Sequence, residues 1–397
     1  MLALKKKLDQ NLINALENDE FKNYRVIIHS KSMPQKLYQK LNSFKVNIIR
    51  CIPSLNCVSV SIQKKLIERL IEYPEIDYIS FDSHALLCGS SISSSNGIYY
   101  DTPYKLSGKG ITVGIVDSGV YPHKDLTTPR NKIVCFKDIV NGITYPYDDN
   151  GHGTFVSGII SSSGHCSKGM YKGIAENTNI YMIKAFNGIG RGFVSDLLFS
   201  IENILLDSEK FNIRIICLPF ELIEYNKFII SLFDKLFKES VNKNIICVVP
   251  SGHNGNMDSS MTGIATLASC ITVGGIDTTH SPKAYIYSSG ASNKNQQKPD
   301  LSSSCVDIYS LNSDISYKSE RNGKKLYPSP LNQPYISYTG TSISAAFISG
   351  VCALLLENNK DLTFQDIISS LKLSCKFLNI PKSIQGSGII DFKSLLP

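Results

Sequence analysis

The apolar positions of this chain fall into two successive regimes. Between residues 24 and 82, short alternating runs trade places with stretches of helical spacing. Tyr24–Ser30, Val46–Ile52, Cys57–Ile62 and Ile76–Phe81 read as strands, whereas Pro34–Ser43 and Gln63–Tyr73 carry the 3.6-residue period. The order βαββαβ predicts a small α+β unit of the split-βαβ kind. Ser90–Asn96, reading SSISSSN, is small and polar and is expected to be a flexible linker. From Gly110 the pattern changes. Ile111–Val116 is a near-continuous apolar run, as a parallel strand covered on both faces requires. Tyr181–Phe186, Ile213–Leu218, Ile245–Val249 and Ile271–Gly275 follow it. Gly153–Ser162, Phe193–Leu206, Lys227–Val241, Thr341–Glu357 and Thr363–Leu373 have helical spacing. This alternation predicts an α/β domain with a mostly parallel central sheet flanked by helices, in which function gathers at the carboxyl ends of the strands. The chain is accordingly divided into a small domain over 1–88, a linker over 89–100 and the α/β domain over 101–397.

Composition narrows the partners more than the fold. Across 397 residues, 42% hydrophobic and 19% charged content suits a chain with a sizeable core. The net charge of +7 is modest and has no long run of one sign, Lys5–Lys7 being the densest basic cluster, so no nucleic-acid partner is expected. The N-terminus offers basic residues without an apolar region and cleavage site behind them, and no stretch approaches 18 uninterrupted apolar residues. Neither a secretory signal nor a membrane span is expected. Eleven cysteines stand singly with no CxxC pair, which argues against a zinc cluster or disulfide framework and fits a reducing, cytoplasmic setting.

Three stretches carry candidate chemistry. Asp117 ends the first apolar strand in IVDSGV; it is either a turn aspartate, since Asp-Ser-Gly is good turn chemistry, or a buried carboxylate that orients an imidazole. His152 lies between two glycines in DDNGHGTFVSG, where the backbone can fold tightly and another group can approach closely. An imidazole also titrates where a general base is needed. Ser342 opens the apolar helix of YTGTSISAAFISG; alone it reads as a helix cap, and with partners as a nucleophile. The chain order Asp, His, Ser is one of the orders in which this triad has arisen on α/β scaffolds.

IVDSGVYPHKDL, DDNGHGTFVSGII and GTSISAAFISG together resemble the three signatures of the subtilisin-like serine proteases, and the likeness runs from about Gly108 to the C-terminus. It extends to NGIGRGFVSDLL, to Lys298–Leu301 and to the closing GSGIIDF. The N-terminal domain is similar to the ferredoxin-like propeptide with which such enzymes chaperone and inhibit themselves. The resemblance implies a serine endopeptidase acting on peptides or proteins, made as a precursor and processed near Leu86–Asn96, with its own N-terminal domain as intramolecular inhibitor. Its nearest type is the intracellular bacterial branch. Ser342 would attack the carbonyl, His152 would relay the proton and Asp117 would hold the imidazole. The chemistry implies no cofactor and no catalytic metal; structural calcium is common in the family, but no ligand set can be matched here.

Departures from the family pattern fall around the pocket. Pro250–Gly255 reads PSGHNG where the family carries Gly-Asn-x-Gly. Matching Gly252 and Gly255 puts His253 at the oxyanion position; sliding by one restores Asn254 there but misplaces both glycines, so the register favours His253. The substrate-binding strand, which usually ends in Ser-Leu-Gly-Gly, here reads CLPFEL with Pro219, Phe220 and Glu221, which removes a backbone donor and adds bulk and charge. This predicts narrowed specificity, toward basic or polar residues on the acyl side of the scissile bond. Gly190, Gly192 and Phe193 are expected along the substrate cleft. The same glycines invite a dinucleotide reading, but Gly188, Gly190 and Gly192 are spaced GxGxG, which misplaces the third glycine. The eroded pocket also leaves a pseudoprotease, acting as a regulatory or binding protein, as the alternative.

Overall fold

A computed structural model describes residues 6–31, 34–44, 46–53, 56–82, 92–98, 105–222, 226–291 and 298–396. The chain divides into two compact units, 1–88 and 89–397. In the first, β1 (Tyr24–Ser30), β2 (Asn47–Ile52), β3 (Cys57–Ile62) and β4 (Ile76–Phe81) form an antiparallel sheet in the order β2-β3-β1-β4. Helices Pro34–Ser43 and Lys64–Leu70 occupy the connections. Alternate residues of β1, among them Tyr24, Val26 and Ile28, are buried, as a half-covered strand requires. A further helix, Gln10–Glu17, is capped by Asp9, whose carboxylate accepts the Leu12 N–H. Tyr24 ties that helix to the sheet by donating to the Ala15 carbonyl at 3.1 Å.

The linker expectation needs correcting where the chain is described. Residues 83–91 and 99–104, which include most of the expected processing junction, lie outside the described residues. Ile92–Ser95, however, is a short helix belonging to the second unit. Ile92 is buried in that unit's core, and Asn96 accepts a hydrogen bond from the Ser304 N–H at 3.0 Å. A single isoleucine among serines was enough to anchor the segment.

In the second unit, β5 (Thr112–Asp117), β6 (Ile133–Asp138), β7 (Asn179–Lys184), β8 (Ile213–Cys217), β9 (Ile246–Pro250) and β10 (Ile271–Asp277) lie in one sheet. The sheet continues through β11 (Lys283–Ala284), β12 (Leu301–Ser304), β17 (Cys375–Lys376) and β18 (Ile389–Ile390). Its order is β6-β7-β5-β8-β9-β10-β12-β18-β17, with β11 beside β10. Neighbours from β6 to β18 are parallel; only the pairings of β11 and β17 are antiparallel. Outside the sheet, β13 (Ile308–Leu311) pairs with β16 (Tyr335–Tyr338), and β14 (Glu320–Arg321) with β15 (Lys324–Lys325).

The two faces of this sheet bury different side chains of the same strands. Val113 and Ile115 of β5, Met182 of β7 and Val248 of β9 join helices His152–Ser161 and Thr341–Asn358 in one core. Val116, Ile183 and Val249 join Val194–Phe211 and Lys227–Asn242 in the other. Each fully buried Ile, Leu or Phe contributes about 1.5–3 kcal/mol, so both layers are strongly held. Thr341–Asn358 is long and apolar enough to cross a bilayer, but 83% of that window is buried inside the fold. It is the central core helix, and its first turn reaches the sheet's carboxyl edge.

Candidate active site

Asp117 is the last residue of β5 and is 4% exposed. Its carboxylate accepts the Ser118 N–H at 2.6 Å, and its carbonyl accepts the N–H groups of Ala185 and Phe186 just beyond β7. His152 is the first residue of its helix. Gly151 before it has φ +98°, a left-handed conformation that costs a side chain dearly. Gly153 after it lies so close to the turn after β5 that a Cβ there would stand 2.1 Å from the Gly119 carbonyl oxygen. The flanking glycines therefore let the helix start press against the end of β5. Ser342 is the second residue of Thr341–Asn358, and Gly340 before it caps without a side chain.

These three side chains meet in series. His152 Nδ1 lies 2.9 Å from both carboxylate oxygens of Asp117, and Nε2 lies 3.0 Å from Ser342 Oγ. A carboxylate only accepts, so Nδ1 carries the proton and Nε2 presents its lone pair to the Ser342 hydroxyl. Burial pulls the His152 pKa down, but the Asp117 charge, its hydrogen bond and the Asp148 charge beyond it prevail. The net result is a pKa above the ordinary 6.5. Ser342 thus serves as a partner of His152, and its place in the first helical turn leaves nearby N–H groups free for an anion.

A supporting network was not singled out in the sequence. Asp148 is buried, and its Oδ1 accepts from Ser118 Oγ at 2.9 Å and from the Gly151 N–H at 2.8 Å. Its Oδ2 accepts from the Thr154 N–H at 2.9 Å and the Thr154 hydroxyl at 2.6 Å. Ser118 Oγ in turn accepts the Gly153 N–H at 3.0 Å, and Thr154 Oγ1 the Tyr121 N–H at 2.8 Å. One carboxylate therefore fastens the turn after Asp117 to the turn that carries His152. Beneath it, the fully buried Lys184 ammonium bonds Asp149, the Ser118 carbonyl and the Phe186 carbonyl. The readable signal was the acidic pair directly ahead of Asn150-Gly151-His152.

Asp117 and His152 open onto a cleft of about 900 Å³ lined by Gly190, Gly192, Phe193, Pro219, Phe220 and Glu221, among others. All six residues assigned to substrate binding thus line one cavity with two of the three candidate catalytic groups. Phe193 is 78% exposed there. Residues 187–191 close a turn through the Asn187 N–H and the Arg191 carbonyl, and Ile189, Gly190, Arg191 and Gly192 line the cleft. Glu221 does more than fill space: its Oε2 accepts the His253 N–H at 2.9 Å and braces the 252–254 turn. The exposed His253 ring stacks on Tyr287, centroids 4.5 Å apart at 15°. The Asn254 amide folds back instead, so that a Cβ on Gly252 would lie 3.7 Å from its Nδ2. The Gly252 carbonyl accepts from Thr341 Oγ1 at 3.2 Å, which links this turn to the residue beside Ser342.

The described residues hold one group of potential metal ligands, His123, Asp125 and Cys166. Its acceptors are already spent: His123 Nδ1 takes the Asp125 N–H, and the Asp125 carboxylate takes Tyr335, Ser162 and the Cys166 N–H. The ten described cysteines are unbridged.

A mostly parallel α/β sheet that presents carboxylate, imidazole and hydroxyl in series at its carboxyl edge has the architecture of a serine hydrolase. The chain belongs to the subtilase family, whose sequence model matches residues 108–388, and it is a serine protease of that family. It is 30% identical over 363 residues to the serine protease AprX of Bacillus subtilis, covering 86% of this chain and 79% of the relative. It is 27% identical over 291 residues to subtilisin DY of Bacillus licheniformis, with 72% and 91% covered. Among solved structures, sphericase superposes with a TM-score of 0.62 at 20% identity, covering 76% of this chain and 96% of its own. An epidermin leader peptide processing serine protease from Staphylococcus aureus gives 0.58 at 18% identity, covering 95% and 100%. The fold expected from the sequence is the fold these structures share.

Proposed function

We propose that this chain is an endopeptidase that cleaves peptide bonds through an acyl-enzyme on Ser342. The observation that carries the reading is the unbroken series Asp117–His152–Ser342, with hydrogen-bond spacings of 2.9 and 3.0 Å. Ser342 attacks the carbonyl while Nε2 of His152 takes its proton; the imidazolium then gives that proton to the leaving amine, and water repeats the cycle. Asp117 fixes the Nδ1–H tautomer and stabilises the imidazolium. The Ser342 N–H and one side chain of the 252–254 turn stabilise the oxyanion, and such a donor is worth about two to three orders of magnitude in rate. The register of the two glycines favours His253 for that role, but the stacking of its ring on Tyr287 supports Asn254 instead. The chemistry needs no cofactor.

Residues 1–88 act as chaperone and intramolecular inhibitor, and the protein processes itself between that unit and the catalytic one, in the cytoplasm. Glu221, charged and on the cleft wall, favours basic or polar residues on the acyl side. A pseudoprotease gains no support from this arrangement. The test is to express wild type beside Ser342→Ala and follow the N-terminal unit. Separation in wild type and its loss in the Ala variant supports the reading; a wild type that cleaves neither itself nor any peptide would overturn it.

A further inference from the structure

Residues 312–334 form an arm that neither catalysis nor the cleft uses. At its centre β14 and β15 make a hairpin whose turn residues Asn322 and Gly323 both have positive φ, 51° and 73°, as a two-residue hairpin turn prefers. The arm is fastened to the chain segments that carry Asp117 and His152. Ser313 Oγ donates to the Asp148 carbonyl at 2.9 Å and Ser319 Oγ to the Tyr145 carbonyl at 2.7 Å. Glu320 accepts the Thr144 N–H at 2.9 Å, and Tyr121 donates to the Ser329 carbonyl at 3.0 Å. Ile315 sits beside the catalytic turn: a Cβ on Gly151 would be 3.9 Å from its Cγ2. None of residues 312–334 lines the cleft of Gly190 and Pro219. The arm therefore flanks His152 on another side.

Its exposed chemistry is one-sided. Ile315 is 59% and Tyr327 80% exposed, and Lys318, Arg321, Lys324 and Lys325 all face solvent. Lys325 sits between the rings of Tyr145 and Tyr327, at 5.5 and 5.2 Å. The arm's two acids are occupied, Glu320 by Thr144 and Asp314 by the N–H and hydroxyl of Ser316. Lys318, Arg321 and Lys324 form no ion pair among the described residues. With four cations, Lys318, Arg321, Lys324 and Lys325, against the two carboxylates Asp314 and Glu320, the arm carries a net positive charge that attracts an anionic partner.

We propose that this arm receives the polypeptide on the leaving-group side of the scissile bond and favours acidic side chains there. The inference rests on the protease reading. His152 returns its proton to the leaving amine, so that segment departs past His152 on the side away from the cleft holding the acyl portion. Tyr327 and Ile315 offer it apolar contact, and the three free cations select its charge.

The test compares peptides that share one acyl half and carry Asp/Glu, Ser/Gln or Lys/Arg in the three positions after the scissile bond. Wild type is set beside Lys318→Ser/Arg321→Ser/Lys324→Ser, and a short chromogenic amide with no leaving-side residues reads the triad alone. At low ionic strength kcat/KM for the acidic set should exceed that for the neutral set by about 3- to 10-fold, the sum of modest exposed pairs. The preference should fade as salt rises and vanish in the triple variant, with the short amide cleaved at the wild-type rate. Turnover of the short amide without an acidic preference, or a preference that survives in the triple variant, overturns this inference alone. No turnover of any substrate overturns the protease reading and this inference with it.

Discussion

Replacing Asp148 by Asn tests whether a buried carboxylate outside the triad holds it together. The change is nearly isosteric, so it opens no cavity, but it puts an NH₂ where an oxygen accepted. Both Asp148 oxygens face donors: Ser118 Oγ and the Gly151 N–H on one side, the Thr154 N–H and hydroxyl on the other. The Thr154 hydroxyl, whose oxygen accepts the Tyr121 N–H, has a second lone pair and can accept from the amide, but the Thr154 N–H, which also donates to Asp148 Oδ2, cannot reverse its role. Whichever way the amide turns, a buried N–H loses its acceptor, at about 1–3 kcal/mol, and the remaining bonds lose their charge-assisted share. The sum is about 3–5 kcal/mol, a large part of a typical folding stability. For a unit of this size it lowers the Tm by roughly 5–10 °C. Stability is best measured in a Ser342→Ala background, which cannot digest itself. A second readout distinguishes positioning from bulk stability. The Asp148 charge helps to raise the His152 pKa, and His152 must be neutral to act as base. With Asp148, the acid limb of kcat/KM should lie above the ordinary imidazole value; in Asp148→Asn it should move to lower pH while the maximal rate falls. A variant within 0.5 kcal/mol of its parent, on the scale of ordinary surface changes, with an unmoved acid limb would refute the reasoning.

Two further changes bear on the chemistry. Asp117→Asn should leave the fold in place but lower kcat by about 10⁴, because the amide no longer secures the Nδ1–H tautomer; near-normal rates measured on a short peptide amide would contradict this role. Asn254→Ala should cost about 10²–10³ in kcat with little change in KM, whereas His253→Ala should cost little. Steady-state kinetics on the two variants decide between them, and the reverse order would return the oxyanion role to His253.

Much of the architecture was legible because long apolar runs leave few choices. Thr112–Asp117 and Thr341–Asn358 are buried on nearly every side, and both lie within one residue of the runs read from pattern. Two of the strands that escaped notice owe little of their burial to hydrophobicity. Leu301–Ser304 is a leucine and three serines, all buried in the sheet. Ile133–Asp138 ends in Lys137 and Asp138 and is largely half-exposed. Ile92 was overlooked for the opposite reason, one apolar residue in a serine-rich run that nonetheless reaches the core. In the site, Asp117, His152 and Ser342 each announced themselves through glycine-rich turns at strand ends and a helix start. Asp148 did not, since a buried acceptor of five donors looks in sequence like any turn aspartate. Nor could sequence tell that Glu221 bonds the backbone of the 252–254 turn, a contact made across 32 positions of chain.

The central claim is that Ser342 is a nucleophile activated by His152. The direct measurement is the site of covalent modification after exposure to a fluorophosphonate probe, read by mass spectrometry of the digested protein. The account predicts a single adduct on Ser342, formed fastest above the His152 pKa, slowed strongly in His152→Ala and absent in Ser342→Ala. An unmodified wild type, or an adduct that persists at another residue when Ser342 is replaced, would contradict it.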